Sequence, residues 1–79
     1  MWKNENDALT KTFTFKNFID AFSFMTKAAM VAEKMDHHPN WTNVYNKVEI
    51  KLNTHSAGNK ITEKDHELSA AIDKLYKEA

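Results

Sequence analysis

No cysteine occurs anywhere in the chain, so disulfides and thiolate metal sites are excluded. Neither charge is in excess: eleven basic residues stand against eleven acidic ones, spread evenly along 79 residues. With no basic patch, direct nucleic-acid binding is not expected. No apolar run reaches the ~18 residues a membrane helix needs. Met1-Trp2-Lys3 does not open the apolar stretch of a signal peptide. These absences predict a soluble, cytoplasmic protein with no membrane partner. Also missing are a Gly-rich phosphate loop, a G-x-S-x-G elbow and a cysteine nucleophile. Length allows one domain, residues 1–79, and a thin core. A chain this short hides only ~60–65% of the surface its unfolded form exposes. Since disulfides and thiolate-bound metals are ruled out, association with copies of itself is the expected support.

Patterning predicts the elements in order. Trp2 to Phe15 reads as a hairpin, with turn residues Asn4-Glu5-Asn6-Asp7 and with Leu9, Phe13 and Phe15 alternating against Thr10, Thr12 and Thr14. Lys11 interrupts the apolar face, which suggests a strand beginning at a sheet edge. Asn17 to about His37 reads as a helix, capped by Asn17 and stopped where Pro39 disfavours helical geometry at His38. It carries two apolar stripes: Phe18, Phe22, Met25, Ala29 and Ala32, and an offset set of Phe24, Ala28, Val31 and Met35. A helix on one sheet needs about one stripe, so the second is expected to meet another copy of the helix. Trp41 to Thr54 reads as a second hairpin breaking at Asn46, with Val48, Ile50, Leu52 and Thr54 on one face. A loop from Ser56 to Lys60 holds the only glycine, and Thr62-Glu63-Lys64-Asp65 has the form of a capping box opening a last helix. The order β-β-α-β-β-α implies a two-layer α+β domain: a four-stranded antiparallel sheet with helices on one face.

The chemistry sits in two short pieces. Glu33-Lys34-Met35-Asp36-His37-His38-Pro39-Asn40-Trp41 is answered downstream by Thr54-His55, and together they hold three of the four histidines. Imidazole is the usual side chain for moving protons near neutral pH. His37 and His38 fall at the expected helix C-terminus, where the macrodipole favours cations. Glu33 precedes His37 by four residues, so the two are expected to pair on one helix face, with Asp36 close by. His55, ending a strand, could meet them across a cleft, and Trp41 offers a flat wall for a planar heterocycle. Each residue also has a plainer reading: paired histidines closing a helix, His55 as a strand-end residue, Trp41 as a core anchor and Asp65 as a cap. His66 has no supporting neighbours and reads as a solvated surface residue. Three histidines with Glu33 could hold zinc, but adjacent His-His rarely points both rings at one ion, so no metal site is expected.

The stretch from Ala32 to Asp65 closely resembles the pterin-4a-carbinolamine dehydratase family. The shared signature is E-K-x-D-H-H-P-x-W, then V-Y-N-K-V alternating up to T-H, then a Gly turn and T-E-K-D. The likeness extends from Trp2 through the final helix. It implies dehydration of a 4a-hydroxytetrahydropterin to quinonoid dihydropterin, in recycling of the pterin cofactor. It implies three active-site histidines, matched by His37, His38 and His55, with supporting substrate-binding roles at Glu33, Asp36, Trp41 and Asp65. The pterin is the substrate, and no cofactor is implied. Family members are described as dimers that extend a sheet and as tetramers that pair through their long helices, so a homodimer or homotetramer is expected. Some in animals also serve as a dimerisation cofactor for a homeodomain transcription factor. Relatives usually carry a further helical segment before the tryptophan matched by Trp2. The loop before T-E-K-D is one residue longer than is common. The rival reading is a non-catalytic interaction module that keeps the fold and uses its helix on a partner.

Overall fold

Asn6 and Asp7 decide where the chain first turns. In the computed structural model, which describes residues 1–78, both sit at positive φ (52° and 60°) between β1 (Lys3–Glu5) and β2 (Ala8–Thr14). Two central residues of that kind make the tight turn whose twist suits a hairpin, and Asn and Asp tolerate it best after Gly. Asn4 and Glu5, expected in the turn, belong to β1 instead. The second hairpin joins β3 (Asn40–Val44) to β4 (Lys47–Leu52) with Tyr45 and Asn46 at its tip. Asn46 latches that tip to the chain leaving β2: its side-chain amide donates to the Phe15 carbonyl at 2.9 Å, and Phe15 N–H donates back to its carbonyl at 2.8 Å.

The four strands form one antiparallel sheet in the order β1-β2-β4-β3. Leu9 stands opposite Leu52, Lys11 opposite Ile50 and Phe13 opposite Val48. These residues share one face, while Thr10, Thr12, Lys51 and Glu49 share the solvated one. Helices α1 (Phe18–Lys34) and α2 (Glu63–Glu78) lie side by side on the apolar face. The α+β fold in the order ββαββα is therefore as the patterning implied. No helix among the described residues is long and apolar enough to cross a membrane.

The core joins Leu9 and Phe13 of β2, Val48, Ile50 and Leu52 of β4, Ala21, Phe24, Ala28 and Ala32 of α1, and Leu68 and Ile72 of α2. Three alanines let α1 approach the sheet closely, and Phe24 fills the space toward its start. Burying a side chain such as Phe24 contributes about 1.5–3 kcal/mol. This overturns the expected division of stripes. Phe24 and Ala28 are inside the subunit with Val31 and Met35 packed against them, so that set is not free to meet another copy. The outward set is Phe18, Ile19, Phe22 and Met30, with Phe22 at 53% and Ile19 and Met30 at 68% exposure.

Lys11 is explained by packing rather than by an edge, since β2 is paired on both sides. Its stem lies under α2 and its ammonium reaches Asp73 Oδ1 at 2.7 Å, 4.9 Å from the centre of the Phe13 ring. Trp2 Nε1–H donates to Asp73 Oδ2 at 3.0 Å. One carboxylate thus satisfies a cation and an indole from two strand segments. Asp73→Ala should strip both donors and lower the unfolding free energy by about 1–2 kcal/mol, read as a lower urea midpoint at unchanged slope. An unchanged midpoint would mean that solvent replaces both bonds.

Candidate active site

Helix α1 stops three residues before the expected boundary, and the way it stops aims the first histidine. Lys34 is its last helical residue and Met35 its cap. Asp36 then takes the left-handed conformation, φ 52°, at a cost on the order of 1 kcal/mol for a residue with a side chain. Asp36 N–H donates to the Glu33 carbonyl and His37 N–H to the Ala32 carbonyl, both at 3.0 Å. This pair of bonds across a left-handed residue is the Schellman ending, usually built on glycine. Proline is therefore not what ends the helix. The reversal turns His37 inward, to 8% exposure, and leaves His38 outside.

The expected Glu33–His37 pair does not form. Four-residue spacing brings side chains together only while the chain remains helical, and the left-handed step intervenes. Glu33 Oε1 meets His38 Nε2 at 2.7 Å in an exposed pair, and His37 Nε2 meets Asp65 Oδ1 at 2.5 Å.

Asp65 is fully buried, at 0% exposure. It stands three residues after Thr62, and its Oδ2 accepts the Thr62 backbone N–H at 2.8 Å, half of the expected capping box. The same oxygen accepts the Thr54 hydroxyl at 2.8 Å. Three donors around one carboxylate are what a buried acceptor requires. Ring nitrogen roles follow. His37 donates from Nε2, which leaves Nδ1 as its open nitrogen, and His38 likewise donates from Nε2 to Glu33. Asn59 presents its Oδ1 to His55 Nδ1 at 3.1 Å, so Nε2 is the open nitrogen of His55.

His55 does not end a strand. Strand β4 stops at Leu52, and His55 opens a 3₁₀ turn (His55–Ala57) closed by Gly58 at φ 74°. Asn59 also has positive φ, and a bridge from Thr54 to Lys60 brings the chain back. The long loop thereby returns in register to begin α2 with Asp65 beneath His37.

A cleft of about 390 Å³ opens here, lined by Asp36, His37, His38, Asn53, Thr54, His55, Ser56 and Lys64. Three sequence-predicted histidines and Asp36 thus share one cavity. Asp65 and Glu33 stand behind two of the rings. Trp41, paired with Ile50 across the sheet, packs half-buried against the core and is not among the lining residues. Asn53, Thr54, Ser56 and Lys64 were not expected in the site. Thr54 had a signal, since it continues the inward face of Val48, Ile50 and Leu52, where a polar residue must find a buried partner. His66 is exposed on α2, away from the cleft. Among the described residues, no group of three or more His, Asp or Glu side chains is gathered as metal ligands would be. Chemically, the cleft offers open imidazole nitrogens to a small molecule, one of them on a ring braced by a buried carboxylate.

The chain is similar to known proteins along most of its length. The family model described as pterin 4 alpha carbinolamine dehydratase matches residues 1–75. A Bradyrhizobium diazoefficiens protein provisionally named pterin-4-alpha-carbinolamine dehydratase is 58% identical over 71 residues, covering 90% of this chain and 70% of that one. A Prochlorococcus marinus protein of the same provisional name is 54% identical over 74 residues, covering 94% and 77%. A crystal structure described as a transcriptional coactivator/pterin dehydratase from Brucella melitensis superposes with a TM-score of 0.90 at 43% identity, covering 95% of this chain and 81% of that one. A pterin dehydratase-like protein described as a RuBisCO assembly factor in the alpha-carboxysome shares the fold, with a TM-score of 0.78 at 22% identity.

Removing the Asp65 carboxylate would leave His37 Nε2, the Thr54 hydroxyl and the Thr62 N–H without their acceptor. Asp65→Ala should therefore destabilise the fold by about 3–5 kcal/mol, as breaking a buried pair does. Urea unfolding measures it; a loss below about 1 kcal/mol would mean the carboxylate behaves as a surface group.

Proposed function

The chain belongs to the pterin 4 alpha carbinolamine dehydratase family, and from that premise we propose that it dehydrates a 4a-hydroxytetrahydropterin to quinonoid dihydropterin and water. The observation that carries this reading is the convergence of His37, His38 and His55 on one cleft, with a buried carboxylate behind His37. The reaction breaks the C4a–O bond, with a proton delivered to the departing hydroxyl, and forms the N5=C4a bond as N5 loses its proton. It asks for an acid, a base and a slot for the ring.

In this reading His37 takes the N5 proton at Nδ1. The Asp65 carboxylate stabilises the positive charge that appears on the ring, as the buried aspartate does for histidine in hydrolase triads. His55, in its protonated form, delivers a proton from Nε2 to the 4a-hydroxyl from the other side of the cleft. His38, steadied by Glu33, orients the pterin, and Asp36 offers its carboxylate to the ring's polar edge. Trp41 acts indirectly, by packing beside Ile50 of β4. The physiological setting is recycling of a pterin cofactor in the cytoplasm.

The assay is the rate of quinonoid dihydropterin formation from synthetic 4a-hydroxytetrahydropterin. His37→Ala and His55→Ala should each lower kcat by ~10²–10⁴, the usual worth of one acid/base group. His38→Ala should raise KM as well. His66→Ala should match wild type. Full activity in all four variants would end the enzymatic reading.

Proton transfer suffices for this chemistry, so no metal or other cofactor is proposed. Activity should survive exhaustive chelation. Loss with EDTA and recovery with zinc would sink the cofactor-free mechanism.

Self-association, as dimer or tetramer, is part of the same reading, with its seam on the outward face of α1. Phe22→Glu would bring like charges together across a symmetric apolar contact, and sedimentation should then show a smaller species. An unchanged mass would place the seam on another surface. The same face supports a second reading, in which the protein also serves a partner as an interaction module; the coactivator description of the Brucella melitensis relative points the same way.

A further inference from the structure

Two hydroxyls stand behind the histidine cleft that the proton chemistry above leaves unused. Thr54 is 5% exposed and sits where β4 would otherwise continue its apolar face. Its Oγ1 lies 2.8 Å from Asp65 Oδ2 and 2.5 Å from Thr62 Oγ1. A threonine hydroxyl has one proton to give. Thr54 gives it to the carboxylate, so Thr62 must give its own to Thr54. Thr62 Oγ1 in turn accepts the Lys64 backbone N–H at 3.3 Å. The bonds therefore run one way, from Lys64 N–H through Thr62 and Thr54 to Asp65 Oδ2, while the other carboxylate oxygen faces His37.

Capping alone does not need this chain. The Thr62 N–H bond to Oδ2 already anchors the start of α2. Thr54 adds a second donor on the same oxygen, from a different element, and so restrains rotation of the carboxylate. Every buried side-chain oxygen or nitrogen among the described residues has a partner, those of Asp65 included. Bonds aligned head to tail also polarise one another in a dry setting.

We propose that Thr54, backed by Thr62, is a positioning residue that holds Asp65 Oδ1 on His37 Nε2 and thereby keeps His37 Nδ1 open to the cleft. The consequence for rate rests on the dehydratase reading; the consequence for the histidine tautomer does not.

The test uses the whole 79-residue chain with ¹⁵N-labelled imidazoles. The His37 signals are assigned by their loss in His37→Ala. Thr54→Val keeps the shape and removes the hydroxyl. With its amide spectrum still that of the folded protein, His37 should pass from a single Nε2–H tautomer to a mixture. Dehydration should show kcat lower by about 10–100-fold, as for the partners that orient metal-bound imidazoles, with KM changed by less than about twofold. Thr54→Ser should restore both. An unchanged tautomer together with an unchanged kcat in Thr54→Val overturns the proposal. If Thr54→Val does not fold, Thr62→Val removes the preceding link and is read by the same measurements, with no change in either again overturning it. If the wild-type protein forms no quinonoid dihydropterin, the dehydratase reading falls, and the imidazole spectrum alone decides the role of Thr54.

Discussion

Asp65 is a carboxylate with no exposure to solvent, and the arrangement of the site follows from satisfying it. Burying such a group costs several kcal/mol unless donors surround it. The donors come from three separate places: an imidazole just past α1, a hydroxyl just past β4 and the backbone amide that opens α2. None of the three is supplied by Asp65's own helix beyond its cap. The fold must therefore bring two helix ends and a strand end together before the carboxylate is stable. The same convergence creates the cleft. Stability and the shape of the cleft are coupled here through one side chain, which is why the cleft sits at this end of the sheet and not at the aromatic end near Phe13, Phe15 and Tyr76.

The left-handed step at Asp36 is the second constraint. It places adjacent histidines in opposite environments, one in the core beside Asp65 and one in solvent beside Glu33. A continuous helix to His37 would have sent that ring to the Glu33 face instead. A side chain at that turn is less comfortable than glycine would be, and it is also one that lines the cleft. Local backbone cost and a place in the cleft wall meet at the same residue.

Helix α1 shows where periodicity runs out of information. Apolar side chains occur around most of its circumference, so spacing alone yields two stripes of similar quality. The structure divides them differently: Phe24, Ala28 and Ala32 from both stripes are buried, with Met25, Val31 and Met35 packed against them. Ala21, Ala28 and Ala32 line the inward side, where small residues permit close approach and Phe24 fills the remaining space, while Phe18, Ile19, Phe22 and Met30 face outward. Lys11 is the complementary case: a charge in an apolar row that looks like an interruption until Asp73 and Trp2 are seen to satisfy it.

The residues by themselves determined the element order, the α+β class, both hairpins and the start of each helix. These features depend on short-range rules, namely alternation, caps and turn residues, which act within a few positions along the chain. Only the tertiary structure decided that His37, His38 and His55 share one cleft, which carboxylate serves which histidine, that Trp41 packs against the core, that Thr54 joins the site and which residues of α1 are buried. Each of those outcomes depends on contacts between segments far apart in sequence. A single left-handed residue or a difference in side-chain volume reverses such contacts without leaving a mark on the local pattern.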